Sequence, residues 1–536
     1  MSCANAAEMN EGFDDLSISD NNEILNEKND FEDFSQLSSE INKSIESKHA
    51  YLTKDYVFNS TSDNEFGKGI TIDIDGITID GQNHTINACK KARIFNIKSD
   101  NVILKNINLI NGKIEENGGA IYWSGSNGTL INCHVKNSAT PNIGGGIYFA
   151  EKGSILNSHF ENNSAYFGGG INFEDEGTVI NSTFKDNYAM LLGGGIYFVE
   201  KGIVTDSIFI HNEGGDGGGI YFFKTGIIDT SKFIENIAIG YGAGITADEN
   251  INVKKSQFIS NTGMFAAAIF FKDTGNVEDS IFTNNCAKRE SGGIYFMGRG
   301  NVENSTFTNN SASWAGAILF DKEGFVKSST FTFNNVNNDG GAIYFSTAGS
   351  VDNSNFTQNS ASLGGGIYAK YGELNVNNTH FNNNTAKSTG NSLYITSQKI
   401  ILENLSFEKK SAYDNEIYIN SPTTSINNIM FKNEEEKQNE PQVSKIKTAI
   451  TAKSQTFKAK AKTKRITITL KGNNKALNNK KVTLKINKKT YTAKTSKGKA
   501  VFKIKLTKKG KFTALIKFAG DSAYKSSQKK ITVKIK

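Results

Sequence analysis

The chain has 536 residues, of which 37% are hydrophobic and 21% charged, and its formal net charge is +7. It contains no run of 18 apolar residues, so we expect no membrane span. The four cysteines and six histidines show no metal-ligand spacing, so we predict no metal site and no cofactor.

The net charge hides a strong polarity along the sequence. Residues 442–536 hold 29 Lys and Arg against one acidic residue, a charge of +28. The preceding residues hold 32 basic and 53 acidic residues, a charge of −21. Two parts of opposite charge, with different partners, are therefore expected.

Residues 1–48 are predicted to contain a signal-peptide remnant and a capping helix. The step Ala4-Asn5-Ala6 is typical of a cleavage site, although no basic or apolar segment precedes it. We interpret it as the end of a truncated signal peptide, which predicts an exported protein at the cell surface. Phe34, Leu37, Ile41 and Ile45 would share one helical face and close the end of the next domain.

Residues 49–432 are dominated by a repeat of 24 to 26 residues. One aliphatic column, preceded by small residues, contains Ile121, Ile147, Ile171, Ile196, Ile220, Ile245, Ile269, Ile294, Ile318, Ile343, Ile367, Leu393 and Ile417. A second column at the same period contains Val135, Phe160, Phe184, Phe209, Phe233, Phe258, Phe282, Phe307, Phe331, Phe356, Phe381, Phe407 and Phe431. Two columns at one fixed period indicate a solenoid with one stacked unit per repeat.

Within each unit, short alternating runs such as Ile155 to Phe160 are separated by Gly and Asn. This pattern is typical of strands, so the sequence predicts an all-β fold, a parallel β-helix of about 24–25 residues per coil. The crossover preference predicts a right-handed coil. The bore should contain both columns and the aliphatic residue five positions before each Phe, such as Val277 before Phe282.

The glycine triplets and the asparagine column of the repeat both have structural explanations. Triplets such as Gly144 to Gly146 permit either positive φ or close packing, and we favour close packing because Ala266-Ala267-Ala268 occupies the same register. Asn recurs three residues after Phe in ten consecutive units, from Asn163 to Asn384. We predict an amide ladder that bonds to itself along the axis.

The steps Gly118-Gly119-Ala120-Ile121 and Phe160 to Asn163 resemble the repeat of the chlamydial polymorphic membrane proteins. The chain also resembles the adhesin-like surface proteins of methanogenic archaea over nearly all of its length beyond residue 48. In that resemblance, Gly69 to Ile86 is similar to the first coil, and the C-terminal segment is similar to bacterial-type Ig-like modules. It implies a β-helical surface protein.

Residues 433–443 are predicted to be a linker, and residues 444–536 a basic Ig-like β-sandwich. Short alternating runs such as Lys481 to Ile486 and Lys511 to Phe518 indicate the strands. An anionic cell-wall polymer is the predicted partner of this basic module, and no specific nucleic acid is expected. Coding bias toward lysine explains the same charge without any partner.

The predicted binding site is a row of outward tyrosines. Tyrosine follows the aliphatic column at nine positions: Tyr122, Tyr148, Tyr197, Tyr221, Tyr295, Tyr344, Tyr368, Tyr394 and Tyr418. Flat rings with a terminal hydroxyl suit glycan rings and protein surfaces. The alternative is a self-stacking ladder that only stiffens the sheet.

Two functional classes remain at this stage. The first is a secreted or cell-surface adhesin, a rigid rod without catalytic residues that binds extracellular glycans or proteins of partner cells. The second is a polysaccharide lyase or hydrolase, for which paired carboxylates are needed. Asp73, Asp75 and Asp80 form one candidate group, and Arg289-Glu290 with Arg299 another. We favour the adhesin because neither group recurs and no inserted loop breaks the register.

Overall fold

The computed structural model describes residues 31–409, 415–433, 446–461, 463–473, 475–521 and 524–536. The chain divides into two compact units, Met1–Glu434 and Glu435–Lys536. The division falls inside the predicted linker 433–443, most of which lies outside the described residues, as do residues 1–30 with the predicted cleavage step.

The first unit is a parallel β-solenoid of about 15 turns, as the repeat predicted. One coil consists of strands Ile147–Phe149, Gly153–Leu156, His159–Glu161 and Ser164–Phe167, and Gly168 begins the step to the next coil. Each strand pairs in parallel with its counterparts, so that Ile147 lies between Ile121 and Ile171. The right-handed sense stays a prediction from the crossover preference.

Three sheets run along the solenoid. Sheet B contains the aliphatic column in 15 strands: Ile70–Ile72, Phe95–Ile97, Ile121–Trp123, Ile147–Phe149, Ile171–Phe173, Ile196–Phe198, Ile220–Phe222, Ile245–Ala247, Ile269–Phe271, Ile294–Phe296, Ile318–Phe320, Ile343–Phe345, Ile367–Ala369, Leu393–Ile395 and Ile417–Ile419. Sheet C begins only in the coil of Ile147, with ten strands: Ser164–Phe167, Tyr188–Leu192, Glu213–Asp216, Ile237–Ala238, Thr262–Gly263, Cys286–Ala287, Ser311–Ala312, Asn335–Val336, Ser360–Leu363 and Thr385–Thr389.

Sheet A has 30 strands and receives two from most coils, one on each side of a turn. Its strands are His49–Tyr51, Tyr56–Val57, Thr78–Asp80, Thr85–Asn87, Ile103–Lys105, Asn108–Ile110, Gly128–Ile131, His134–Lys136, Gly153–Leu156, His159–Glu161, Gly177–Ile180, Thr183–Lys185, Gly202–Thr205, Ile208–Ile210, Gly226–Asp229, Lys232–Ile234, Ile251–Lys254, Gln257–Ile259, Gly275–Glu278, Ile281–Thr283, Gly300–Glu303, Thr306–Thr308, Gly324–Lys327, Thr330–Thr332, Gly349–Asp352, Asn355–Thr357, Glu373–Asn377, His380–Asn382, Lys399–Lys409 and Thr423–Asn433.

A capped helix closes the N-terminal end of the core. Helix Phe34–Asn42 begins at the N-cap Asp33, and Phe34, Leu37 and Ile41 are buried in the solenoid core. The prediction for Ile45 is wrong, because the helix ends before it and its side chain is 54% exposed. The wholly buried Asp63 accepts hydrogen bonds from the amides of Phe34 and Ser35, which fixes the helix start. A short 3-10 turn, Asn64–Phe66, follows.

The predicted bore is confirmed by burial. From Val135 to Phe407 every member of the Phe column has 0% exposure, while Phe431 in the last coil is 47% exposed. A further aromatic column, which the sequence analysis missed, lies two residues after the aliphatic column. Its members are Trp123, Phe149, Phe173, Phe198, Phe222, Phe271, Phe296, Phe320 and Phe345, all with 0% exposure.

The amide ladder is confirmed and lies inside the solenoid wall. Asn187 Nδ2 donates to Asn212 Oδ1 at 3.0 Å and to Phe160 O at 2.9 Å, and Asn187 N donates to Asn212 Oδ1 at 3.1 Å. A serine ladder parallels it, since Ser182 N donates to Ser207 Oγ at 3.1 Å. Both ladders satisfy buried backbone groups at turns that would otherwise be left unpaired.

The prediction that the glycine triplets serve close packing and not positive φ is right for one glycine of the step and wrong for another. The first glycine of the step has positive φ, +74° at Gly144, whereas the second needs small size, because a Cβ on Gly145 would lie 2.3 Å from Gly169 O. Ala266 occupies the first position without positive φ, and the backbone there forms a parallel bridge to Ser291. The register of Ala266 therefore gave no information about Gly144.

The second unit contains two sheets that curl around one core. The antiparallel sheet D has strands Thr448–Ala452, Lys464–Gly472, Lys475–Ala476 and Lys499–Ile504, and the mixed sheet E has Gln455–Phe457, Lys481–Ile486, Lys489–Lys494, Gly510–Phe518 and Ser527–Ile535. Leu484, Phe502 and Ile516 are among the core residues. The arrangement is a curled half-barrel, so the Ig-like assignment remains a prediction.

In one coil of the core, the large and the small side chain of a packed pair have exchanged positions. A Cβ on Gly226 would lie 2.4 Å from the Phe222 ring, so glycine and phenylalanine occur together in most coils. In the coil between Ile245 and Ile269, Ala247 occupies the Phe position and Ile251 the Gly position.

We expect Ala247→Phe alone to overpack the bore and Ile251→Gly alone to leave a cavity, each costing about 2 kcal/mol or more. The double variant Ala247→Phe with Ile251→Gly should be more stable than either single variant, because it restores the pair of the neighbouring coils. Urea unfolding followed by circular dichroism measures all four proteins. Additive losses in the double variant would contradict the exchange.

Candidate functional site: the tyrosine face

The tyrosine face is the outer surface of sheet B, formed by the central residue of each strand. In register, Tyr122 pairs with Tyr148, and Tyr148 with Asn172. The flanking residues Ile121 and Trp123 have 0% exposure and point into the bore, so the central side chains point outward. All nine predicted tyrosines lie on this face, in one line along the solenoid.

The face is more enclosed than the sequence indicated. Tyr221, Tyr295, Tyr344 and Tyr368 are under 10% exposed, and the other five are partly buried. Corner segments supply the cover, since Tyr241 contacts Phe270 and Trp314 contacts Tyr344, with ring centroids 4.3 and 6.0 Å apart.

Ring stacking determines which parts of the tyrosine side chains are open to a ligand. Four neighbouring pairs stack with ring centroids 4.6 to 5.3 Å apart, namely Tyr122 with Tyr148, Tyr344 with Tyr368, Tyr368 with Tyr394, and Tyr394 with Tyr418. Ring faces therefore cover one another along the axis, and the expectation that flat faces point outward is wrong for these pairs. The stacked rings offer edges and hydroxyl groups, which suit hydrogen bonding to polyols. The binding role itself stays a prediction.

Three of the four interruptions of the tyrosine row between Tyr122 and Tyr418 are followed by an acid, and the exception is Phe270. Where Asn172, Thr246 and Leu319 replace tyrosine, Glu174, Asp248 and Asp321 follow two residues later. Tyr295 donates a hydrogen bond to Asp321 Oδ2 at 2.6 Å, and Glu174 and Asp248 lie close enough to Tyr148 and Tyr221 of the preceding coils to raise the pKa of their hydroxyl groups.

These acids affect the protonation of the row. Burial, followed by the charge of Glu174, raises the pKa of Tyr148 to about 12. Burial and Asp248 raise the pKa of Tyr221 further, and burial and Asp321 do so for Tyr295. All three side chains remain neutral phenols at neutral pH, and Tyr295 donates to the Asp321 carboxylate.

A second acid faces two of these pairs from the corner before sheet B. Burial raises the pKa of Asp216, which also interacts with Asp248, and the pKa of Glu290, which also interacts with Asp321. The group Asp216, Tyr221, Asp248 recurs about 74 residues later as Glu290, Tyr295, Asp321. The two groups are three coils apart, and the sequence analysis did not identify them.

Several of the residues singled out for catalysis have structural partners of their own. Asp75 Oδ1 accepts from the amide of Asp100 at 3.1 Å, and Asp80 pairs with Lys105 at 3.1 Å, so both hold turns of the first coils. Arg299 pairs with Glu323. Glu290 lies at the tyrosine face through its interaction with Tyr295, and Asp73 follows the aliphatic column by three residues, at the register position of Glu174.

A cavity of about 510 Å³ opens at the N-terminal end of the tyrosine face. Its lining residues are Arg93, Asn96, Lys98, Glu116, Asn117, Tyr122, Ser124 and Asn142. Apart from Tyr122, the sequence analysis named none of them. A signal was present, because the aliphatic positions Phe95, Ile121 and Ile147 are 26 residues apart here, against 24 or 25 in the coils that follow to Ile367.

The second unit has its own charged surface. On the outer side of sheet E, seven exposed lysines alternate with buried residues: Lys481, Lys485, Lys494, Lys511, Lys517, Lys530 and Lys534. Lys485 and Lys530 both lie opposite Leu515. Asp521, the one acid after residue 441, pairs with Lys480 instead.

Comparison with known proteins connects the repeat to a family. Residues 353–370 match the Chlamydia polymorphic membrane protein repeat. The match contains both repeat signatures, Phe356 to Asn359 and Gly364 to Ile367. The solenoid is therefore a β-helix similar to that repeat. No curated protein matches the chain.

Among the described residues, no helix has the length and apolar character needed to cross a membrane.

The raised pKa of Asp216 has a consequence for stability. Because its pKa is higher in the folded state than the unfolded value of about 3.9, folding favours the protonated form, and stability is lost as pH rises through that range. Asp216→Asn mimics the protonated acid and keeps an acceptor for the amide of Tyr241.

We expect Asp216→Asn to melt at a higher temperature than the unaltered protein at pH 7 and at the same temperature near pH 3. Thermal melts at several pH values measure this. Asp73→Asn, at an exposed position, serves as the control and should show no pH-dependent difference. A constant offset for Asp216→Asn at all pH values would contradict the burial effect.

Proposed function

We propose that this chain is a surface-displayed, adhesin-like protein whose β-helical rod binds glycans or partner-cell surfaces along the tyrosine face. The match to the polymorphic membrane protein repeat, inside an unbroken 15-turn solenoid, is the observation that carries the proposal. The resemblance to adhesin-like proteins of methanogenic archaea supports it over a longer part of the chain, and it is the reason for proposing an extracellular location and an Ig-like second unit.

The chemistry of the tyrosine face favours polyols as ligands. Edge-on tyrosines present hydroxyl groups, and Glu174, Asp248 and Asp321 stand beside them as acceptors for sugar hydroxyls. Such a ligand would gain its affinity from many modest hydrogen bonds along the rod, since each contributes about 0.5–1.5 kcal/mol.

The first test removes hydroxyl groups without removing rings. We expect the combined variant Tyr197→Phe, Tyr394→Phe and Tyr418→Phe to bind a glycan array or partner cells about tenfold or more weakly, through lost hydrogen bonds. Tyr51→Phe with Tyr371→Phe, at exposed positions elsewhere, should bind as the unaltered protein does. Equal binding by the row variant would leave the tyrosines as a stiffening ladder.

A polysaccharide-cleaving enzyme is the second candidate, favoured by the two groups in which a tyrosine stands between two acids. An acid with a raised pKa beside a second carboxyl group is the arrangement used in glycoside hydrolysis. New reducing ends from purified polysaccharides, absent in Asp216→Asn, would establish the enzyme over the adhesin.

For the second unit we propose association with an anionic wall polymer through the outer surface of sheet E. Seven lysines without an acid on that surface would attract a polyanion, and the attraction should weaken with salt, because exposed charges are screened beyond about 10 Å at 0.1 M.

We expect the full chain to bind a heparin-like resin at low salt and to elute as ionic strength rises. The variant Lys485→Glu, Lys517→Glu and Lys530→Glu should elute at clearly lower salt. A matched variant on the solenoid, Lys201→Glu, Lys322→Glu and Lys370→Glu, should elute as the unaltered protein does. Equal shifts for both variants would leave the lysines as ordinary solvated surface.

A further inference from the structure

The cavity at the N-terminal end of the tyrosine face differs from the rest of that face in charge. Lys98 occupies the register position, three residues after the aliphatic column, at which Glu174, Asp248 and Asp321 stand in later coils. The cavity also contains Arg93 and one carboxylate, Glu116. The cavity therefore contains two cationic side chains and one carboxylate.

The carboxylate of the cavity, Glu116, is already paired with basic side chains of the chain itself. Glu116 pairs with Lys68 and lies 3.6 Å from Arg93 Nη2. The hydrogen bond from Lys68 is the main cause that lowers the pKa of Glu116, so the group stays ionised and occupied by its own partners. A ligand entering the cavity meets the remaining cation, Lys98, which is exposed and has no ion pair within the described part of the chain.

Arg93 makes the cavity rigid rather than reactive. Its guanidinium is 3% exposed and donates to the backbone carbonyls of Gly118, Lys68 and Asn117 at 3.0, 3.0 and 2.7 Å. These bonds tie two corner segments together, and its guanidinium carbon lies 5.3 Å from the centroid of the Tyr122 ring. The wall is thus formed before any ligand binds, which lowers the entropy cost of binding.

Amide groups supply the rest of the lining. Asn96 pairs in register with Tyr122, is partly exposed, and its side chain makes no hydrogen bond within the described residues. Asn117 lies near the Tyr148 hydroxyl, and Asn142 Nδ2 donates to Glu115 O. Each amide can both donate and accept, as neighbouring hydroxyl groups of a sugar require.

From these observations we propose that the cavity binds an acidic sugar of the hexuronate class, with its carboxylate at Lys98 and its hydroxyl groups at Asn96 and Asn117. The volume of about 510 Å³ lies in the usual range for small-ligand sites, about 300–1,000 Å³. This inference rests on the proposed glycan-binding function and names the sugar class for one end of the tyrosine face.

The test compares two sugars that differ only at C6, D-glucuronate and D-glucose, using saturation-transfer NMR titrations of the full chain. We expect D-glucuronate to bind about tenfold more tightly than D-glucose, because a charge-assisted hydrogen bond to Lys98 is added. Lys98→Ala should reduce the glucuronate affinity to that of glucose, and Lys98→Glu should reduce it further, with the affinity for glucose unchanged.

Lys370→Ala is the matched control, because Lys370 has the same register position eleven coils away and should leave both affinities unchanged. Asn96→Ala should weaken both sugars together. Equal binding of the two sugars, binding of neither, or glucuronate binding that survives Lys98→Glu would overturn the proposal.

The outcomes separate this inference from the proposed function. Loss of cell or glycan-array binding in the tyrosine-row variant, with no change for the Lys98 variants, would support the adhesin and overturn the acidic-sugar site. Glucuronate binding that depends on Lys98, in a protein whose row variant binds cells normally, would support the site and overturn the role of the row.

Discussion

Register is the constraint on which this protein depends, because each residue of the solenoid is packed against its own counterparts in the coils above and below. The buried asparagines show its strength. Each carboxamide accepts from one neighbouring coil and donates to another, as Asn187 does between Asn163 and Asn212. Loss of one member leaves buried donors and acceptors unpaired on both sides, at about 1–3 kcal/mol for each group. A ladder of this kind permits little change at any single coil.

Where the bore does change, it changes in pairs. Ala247 with Ile251, and Ala369 with Leu374, replace the usual Phe and Gly at matching register positions. The total volume in that layer stays nearly constant, as close packing requires. The solenoid therefore tolerates exchange of side chains between two strands of one coil much better than a change in the volume of the coil.

The period, the strands and most of the bore were predictable, because alternation and a fixed repeat report directly which residues point inward. The corners were not. Gly144 and Ala266 share a register position but have different backbone conformations, and residue size alone does not reveal which one needs positive φ. The burial of Tyr221 could not be predicted from the sequence either, because it depends on corner segments from other coils that cover the row.

The second unit shows a different limit. Alternating runs identified its strands, and the core residues Leu484 and Ile516 follow the expected period of two. How two sheets curl around that core depends on pairings between distant strands, such as the parallel pair of Gln455 with Val533. Local pattern carries no information about such pairings, so strand content was predictable and sheet arrangement was not.

Regularity and binding compete on the outer surface of a solenoid. A residue that repeats in every coil finds its partners in its own column, and the stacked tyrosines accordingly contact one another through their ring faces, while Tyr295 also places its hydroxyl on Asp321. Where the spacing lengthens to 26 residues, before sheet C begins at Ser164, corner residues such as Asn117 lie outside any ladder and leave an open cavity. Asn96 and Lys98 keep unused hydrogen-bonding capacity there because no equivalent side chain stacks against them. In a repeat protein of this kind, departures from the period are therefore better indicators of a ligand site than the repeated residues themselves.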